Sequence, residues 1–102
     1  MRKVLLVITT EVNEKKAKNI AKLLLKKKLA ACVSMKNINS IYKWEGDIEE
    51  TREIEMVIKS KPELKYDLIL FLQKKLSYDV PQILHKIFKS ELKYYDWLNK
   101  NI

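Results

Sequence analysis

The segment of residues 29–60 constrains the fold most, because it places the only glycine of the chain between two long stretches suited to β-strands. Glycine tolerates a positive φ, which a tight two-residue hairpin turn requires. The residues on both sides of Gly46 are rich in Ile, Val, Tyr, Trp, Ser and Thr, which favour the pleated surface of a strand. The pattern therefore predicts two long antiparallel strands joined at Glu45 and Gly46.

The register of this hairpin follows from a two-residue turn. Tyr42 then faces Glu49, and Lys36 faces Glu55, across the strand pair. Alternation along the second strand places Glu53 on the same face as Glu49 and Glu55, which makes this face acidic. An isolated hairpin is marginally stable in water, so this long hairpin arm requires support from the rest of the domain or from another molecule.

The other elements follow from apolar periodicity and from the residues that begin helices. The predicted elements are a strand at 2–10, a helix at 14–27, the hairpin strands at 30–44 and 47–59, a helix at 62–76, a strand at 83–88 and a helix at 91–99. Asn13 is the expected N-cap of the first helix, and Pro62 suits the first turn of the second. Thr9, Thr10 and Glu11 are expected to form a polar loop that leads to the first helix.

The order strand, helix, strand, strand, helix, strand, helix predicts an α+β fold, the ferredoxin-like split βαβ plait. Right-handed crossovers place both main helices on one face of the sheet. The first strand is apolar on both faces, so a monomer would expose an apolar patch on the opposite face. We therefore expect residues 1–102 to form a single domain that assembles into a homo-oligomer.

Composition limits the class of protein. The net charge of +8 invites a nucleic-acid partner, but much of it comes from lysines that fit a solvated helix face. Glu53 and Glu55 also stand where an RNA-binding sheet would carry basic or aromatic residues, so nucleic-acid binding is the weaker alternative. One cysteine allows no intramolecular disulfide, and no apolar run is long enough to span a membrane. A cytoplasmic location is expected.

Several residues are candidates for metal binding. Glu45, Asp47 and Glu49 offer the oxygen ligands that a hard divalent cation prefers, but a solvated acidic strand face is the favoured explanation, because nothing in the sequence shows that these carboxylates converge. Cys32 and His85 are the only residues of their types, and a lone ligand of either type is more often structural. No nucleophile with a partnering base stands out, so an acid/base enzyme that uses the carboxylates of the arm remains the third hypothesis.

Other residues are candidates for a cleft or for contacts between subunits. Tyr42 and Trp44 in the arm, together with the turn at Gly46 and the nearby Glu53, are expected to lie between subunits, where aromatic side chains carry much of the buried area. A cleft between protomers could bring further polar and aromatic residues together. The residues predicted for this cleft are Thr9, Thr10, Tyr78 and Pro81.

The motifs resemble those of the CutA (CutA1) family of divalent-cation tolerance proteins. The run of residues 42–49, Tyr-Lys-Trp-Glu-Gly-Asp-Ile-Glu, is similar to the family signature. Residues 29–33 and 53–60 are similar to the entry of its second strand and to its third strand. Residues 78–83 resemble its tyrosine-x-x-proline loop, and residues 94–98 resemble its C-terminal tyrosine-x-x-tryptophan-leucine motif. The resemblance covers nearly the whole chain.

This resemblance implies a compact homotrimer in which the hairpins pair between subunits, with an architecture like that of PII-type signalling proteins. It implies a role in tolerance or response to copper and other divalent metals, without established catalysis and with no required cofactor. In some relatives the proposed copper ligands are a cysteine near the end of strand one and histidines before the tyrosine loop. Residues 8–10 and 74–77 supply neither here, so copper binding does not transfer from the family. A small-ligand signalling role of the PII type is the other alternative.

Overall fold

The computed structural model describes residues 2–102, and its elements follow the predicted order. They are β1 (Lys3–Glu11), α1 (Glu14–Lys26), β2 (Cys32–Trp44), β3 (Asp47–Ser60), a 3₁₀ turn (Pro62–Leu64), α2 (Lys65–Lys75), β4 (Ile83–Lys89) and α3 (Leu92–Lys100). The side chain of Asn13 accepts a hydrogen bond from the N–H of Lys16, as expected of an N-cap.

The four strands form one antiparallel sheet in the order β2-β3-β1-β4. This order, with a helix connecting β1 to β2 and another connecting β3 to β4, is the ferredoxin-like α+β fold that the sequence predicts. Strands β2 and β4 lie at the two edges of the sheet. The β2 edge is long for an edge strand, at 13 residues.

The hairpin between β2 and β3 has the predicted turn and register. Glu45 and Gly46 have φ values of 52° and 87°, so both central residues adopt the left-handed region that a type I′ turn requires. Tyr42 lies opposite Glu49. Pairing between β1 and β3 ends at Ile54, so residues 38–53, here called the arm, extend beyond the rest of the sheet. The chain measures 46 × 24 × 23 Å as a result.

One face of the sheet, the helix-covered face, is packed against α1 and α2. The residues of this cluster are apolar and almost fully buried. They include Leu5 and Val7 of β1, Met56 and Ile58 of β3, Ile20 and Leu24 of α1, and Leu68 and Leu72 of α2. Because alternate strand residues share a face, the positions of these residues show that both main helices lie on the same side. The predicted right-handed crossovers explain this arrangement.

The opposite face, the open face, has no helix over its centre. Ile8, Val57 and Leu84 lie side by side there in register, and Leu84 is 57% exposed. At the far end from the arm, Tyr94 of α3 borders a groove with Phe88 and neighbouring residues of β1. The apolar side chains of the open face are thus only partly covered within one chain.

Two predicted boundaries were wrong for a physical reason. Glu11 does not belong to a polar loop, because β1 continues through Glu11, which pairs with Ile54 of the long β3 strand and is fully buried. Strand β2 begins at Cys32 rather than at residue 30. Ala30 is buried in the core, and only the N–H of Ala31 donates to the carbonyl of Lys59 before the regular ladder begins.

Candidate ligand-binding cleft

A cleft of about 630 Å³ lies between the arm and the loop that joins α2 to β4, and it reaches from Glu53 at the base of the arm to Trp44 near its tip. One wall is the open face of the sheet, and the other is the loop. The lining residues are Thr10, Ser40, Ile41, Tyr42, Trp44, Glu49, Glu53, Ser77, Tyr78, Asp79, Val80 and Gln82. The volume falls within the range of small-molecule sites.

A hydrogen bond joins the two walls. The hydroxyl of Tyr78 in the loop donates to Glu53 Oε1 of β3 at 2.7 Å. Burial raises the pKa of Tyr78 well above its usual value, and the hydrogen bond to Glu53 and the negative charges of Glu53 and Glu11 raise it further. Tyr78 therefore remains a neutral donor, and the contact fixes the loop against the base of the arm.

Glu11 holds the loop from the other side of the sheet. Its carboxylate is fully buried and accepts hydrogen bonds from the N–H of Val12 at 2.7 Å and from the N–H of Ser77 at 3.1 Å. The contact with Ser77 joins residues 66 positions apart. Reasoning from the sequence missed this role, although Glu11 shares the alternate positions of Leu5 and Val7, which predict a buried side chain.

The arm supplies the aromatic wall of the cleft. Tyr42 and Trp44 lie on the same face of β2, and the Tyr42 hydroxyl is 3.0 Å from Thr51 Oγ1 across the hairpin. Trp44 is 44% exposed. Gly46 and Glu45 form the turn at the tip beyond them. Aromatic faces that are half-exposed at one end of a cleft can pack against an apolar or a cationic group.

The structure separates the four residues predicted for the cleft. Thr10 and Tyr78 line it. Thr9 pairs with Met56 and Ile83 on the helix-covered face instead, and its buried Oγ1 has no hydrogen-bond partner among residues 2–102. Pro81 belongs to the same loop as Tyr78 but is not among the lining residues.

The candidate metal ligands lie far apart along the fold. Glu45, Asp47 and Glu49 are exposed near the tip of the arm, whereas Cys32 begins β2 at the opposite end of the hairpin. His85 is exposed on β4, which is separated from β2 by the two strands β3 and β1. Within residues 2–102 no three His, Cys, Asp or Glu residues lie close enough to hold an ion. The ligands that one chain presents therefore do not fit a resident metal.

The carboxylates of the cleft are instead distributed along its walls. Glu49, Glu53 and Asp79 line it, and none of the lining residues is lysine or arginine. The chain as a whole has a net charge of +8, so this acidity is local. A separated set of carboxylates with hydroxyls and aromatic rings can bind a small organic molecule rather than a single ion.

Fold and site together define a ferredoxin-like α+β protein with a long hairpin arm and a polar cleft beside that arm. The profile of one family, the CutA1 divalent ion tolerance proteins, matches residues 5–101. The chain belongs to this family.

Individual relatives agree with this assignment. A CutA protein of Mus musculus is 42% identical over 73 residues, which are 71% of this chain but only 41% of the mouse protein's length. The divalent-cation tolerance protein CutA of Yersinia pestis (strain Pestoides F) is 30% identical over 100 residues, 96% of this chain and 84% of that protein. The structure of the periplasmic divalent cation tolerance protein CutA of Archaeoglobus fulgidus superposes with a TM-score of 0.91 at 32% identity, covering 96% of this chain and 97% of that one.

None of the helices within residues 2–102 is long and apolar enough to cross a membrane.

Proposed function

We propose that this chain is a single-domain, non-catalytic protein that works as a cytoplasmic homotrimer in tolerance to divalent metal ions. The observation that carries the proposal is the match of residues 5–101 to the CutA1 divalent ion tolerance family. The trimer and the absence of catalysis are expected from the resemblance to this family. The half-buried, unpaired Cys32 is compatible with a reducing compartment.

The open face supports assembly. It presents partly exposed apolar side chains, among them Leu84 and Phe88, and the arm adds Trp44. The long edge of β2 carries backbone groups that pair with no other strand within residues 2–102. Exposed edges and apolar faces of this kind are usually covered by another chain, because uncovered ones promote aggregation. Three copies packed through these surfaces would bury both features.

Any metal contact would have to form between copies. The carboxylates of Glu45, Asp47 and Glu49 lie near the tip of the arm, where arms of neighbouring copies could bring them together. Such a set of oxygens suits a hard divalent ion bound weakly, not copper held by soft ligands. Residues 8–10 and 74–77 provide no cysteine or histidine for copper.

The acidic part of the open face, toward the arm, also argues against the nucleic-acid alternative. Glu49, Glu53 and Glu55 share this face, where they would repel a phosphate backbone. Five of the 21 lysines and arginines lie on α1, on the other side of the sheet.

The test measures mass and metal binding on the same sample. Light scattering of the metal-free full chain is expected to give about 36 kDa, three times the 12.1 kDa chain mass. A calorimetric titration with Mg²⁺ or Mn²⁺ is expected to give weak heats that the triple change Glu45→Gln, Asp47→Asn, Glu49→Gln removes, and copper to give no stoichiometric heat. A mass of 12.1 kDa would contradict the trimer, and a stoichiometric copper heat would contradict the account of the metal.

A further inference from the structure

We propose that the outer surface formed by residues 14–28 and 61–75, here called the helix layer, docks on the surface of an anionic lipid bilayer. Its lysines lie against the headgroups of acidic phospholipids, and Tyr66 and Leu70 enter the interface. The helix layer is exposed in a single chain. It also stays exposed in the proposed assembly, which covers the open face on the other side of the sheet.

The net charge of the chain is concentrated in the helix layer. Residues 14–28 and 61–75 carry 11 lysines and only 3 acidic residues, whereas the remainder of the chain carries 10 basic and 10 acidic residues. The layer therefore accounts for the whole net charge of +8. A surface of positive potential attracts the acidic lipids that give the cytoplasmic leaflet its negative potential.

The outward side of α1 presents a stripe of lysines. The residues that α1 buries against the sheet are Ala17, Ile20, Ala21 and Leu24. Lys15, Lys22 and Lys26 are separated by close to two turns and one turn, so they project together from the opposite side over about 16 Å. All three are exposed, and within residues 2–102 none of them takes part in an ion pair. These charges are therefore free to meet external anions.

The outward side of α2 adds apolar groups to this surface. Leu68 and Leu72 are the buried residues of α2. Tyr66 and Leu70 alternate with them and point the other way, because two residues turn a helix by about 200°. Tyr66 is 75% exposed and Leu70 is 37% exposed. Tyrosine and leucine are side chains that enter the boundary between lipid headgroups and acyl chains.

The lysines and the apolar groups lie at the same end of the layer. The loop after α1 contacts the end of β3, where the Ser60 hydroxyl donates to the carbonyl of Leu29 at 2.7 Å. Helix α2 begins five residues after Ser60, so its first turn, with Tyr66, lies at the end of the layer where Lys22 and Lys26 are found. One surface thus combines positive charge with apolar area.

This combination favours a bilayer over a nucleic acid. Two helices packed on one face of a sheet form a layer, which suits a flat partner. A phosphate backbone would neutralise the lysines but would leave Leu70 in water. An acidic bilayer accepts both kinds of group, since binding to it depends on buried apolar area as well as on charge.

The experiment is co-sedimentation of the full chain, in its native assembly, with phosphatidylcholine vesicles that contain about 30% phosphatidylserine. The triple change Lys15→Gln, Lys22→Gln, Lys26→Gln is expected to weaken binding about 100-fold, because each lysine near an anionic surface contributes about 5-fold. The matched control is Lys89→Gln, Lys93→Gln, Lys100→Gln, which removes the same charge from exposed positions on β4 and α3. It is expected to change binding less than about 3-fold, since distant exposed charges are screened.

Tyr66→Ser tests the apolar contact separately from the charge. It is expected to weaken binding about 3-fold or more, whereas Tyr66→Phe keeps the ring and is expected to bind like the wild type. Vesicles of phosphatidylcholine alone are expected not to sediment the protein. Circular dichroism and the molar mass confirm that each variant keeps its fold and assembly.

Four outcomes would overturn the proposal. The first is that the folded wild-type chain does not sediment with the acidic vesicles. The second is an equal loss of binding in the two triple variants, which would show attraction by overall charge alone. The third is wild-type binding by Tyr66→Ser, and the fourth is tighter binding to a mixed-sequence RNA oligonucleotide than to the vesicles, which would make a nucleic acid the partner of the layer.

Discussion

The two faces of the sheet are built from the same four strands but serve different purposes. On the helix-covered face, Val7, Met56 and Ile58 have no exposed surface. On the open face their strand neighbours Ile8 and Val57 are only partly buried, and carboxylates, hydroxyls and aromatic rings take over toward the arm. One face is thus completed within the chain, while the other is left for a partner or a ligand.

The comparison shows which residues determine folding and which are available for function. Burial of apolar area on the helix-covered face supplies the main driving force, since each fully buried large side chain contributes about 1.5–3 kcal/mol. The open face keeps polar groups such as Glu53 that cost stability unless they are hydrogen-bonded. Their retention points to a role outside the folding of a single chain.

The largest expected effect is on stability, and it should differ between two neighbouring residues that lie on opposite faces of the sheet. Ile58→Ala is expected to lower the free energy of unfolding by about 2–5 kcal/mol, because it opens a cavity in the core. Val57→Ala, one residue away on the open face, is expected to cost less than half as much. Chemical denaturation at one fixed protein concentration measures both. Equal losses would show that the two faces are equally packed.

The second prediction concerns the buried carboxylate that holds the cleft loop. Glu11→Ala is expected to cost about 1–3 kcal/mol of stability, because it leaves the N–H groups of Val12 and Ser77 without their acceptor. Glu11→Gln keeps an acceptor oxygen and is expected to cost less. Hydrogen exchange at the Ser77 amide should speed up in Glu11→Ala before it does elsewhere. An unchanged rate there would show that Glu11 does not hold the loop.

The third prediction concerns the tip of the arm. Gly46→Val is expected to cost about 1–2 kcal/mol and to shift the assembly toward monomer or aggregate, because Gly46 has a φ of 87°. The strain comes from the backbone alone, since a Cβ there would meet nothing within 4 Å. Gly46→Asn, which tolerates this region, is the control. If the mass of Gly46→Val were that of the wild type, the turn would not need glycine.

The smallest expected effect is at Tyr78. Tyr78→Phe removes its hydrogen bond to Glu53 and is expected to cost about 1 kcal/mol. The folded pKa of Tyr78 lies above its unfolded value near 10, so its contribution is complete below about pH 10 and is lost as the pH rises further. Stability should therefore fall less steeply above about pH 10 in Tyr78→Phe. Parallel slopes in the two proteins would argue against this coupling.

The sequence predicted the features that depend on near neighbours. The turn at Gly46 and the hairpin register depend on a few adjacent residues, and both are confirmed. The burial of Glu11 was missed because it depends on the length of β3 and on Ser77 in a distant loop. Alternation likewise placed the carboxylates of β3 on one face of the sheet. The position of the loop at Tyr78 over these carboxylates could not be predicted, because it depends on tertiary packing.

The most direct test of whether neighbouring copies pair with the exposed edge of β2 is amide hydrogen exchange along this strand in the native assembly. Trp44 and Asp47 flank a two-residue turn, so they form a hydrogen-bonded pair, and the alternate N–H groups of Ile41 and Lys43 point away from β3. If neighbouring copies pair with this edge, Ile41 and Lys43 should exchange about as slowly as Tyr42. Exchange of Ile41 and Lys43 at unprotected rates, with Tyr42 protected, would contradict the account.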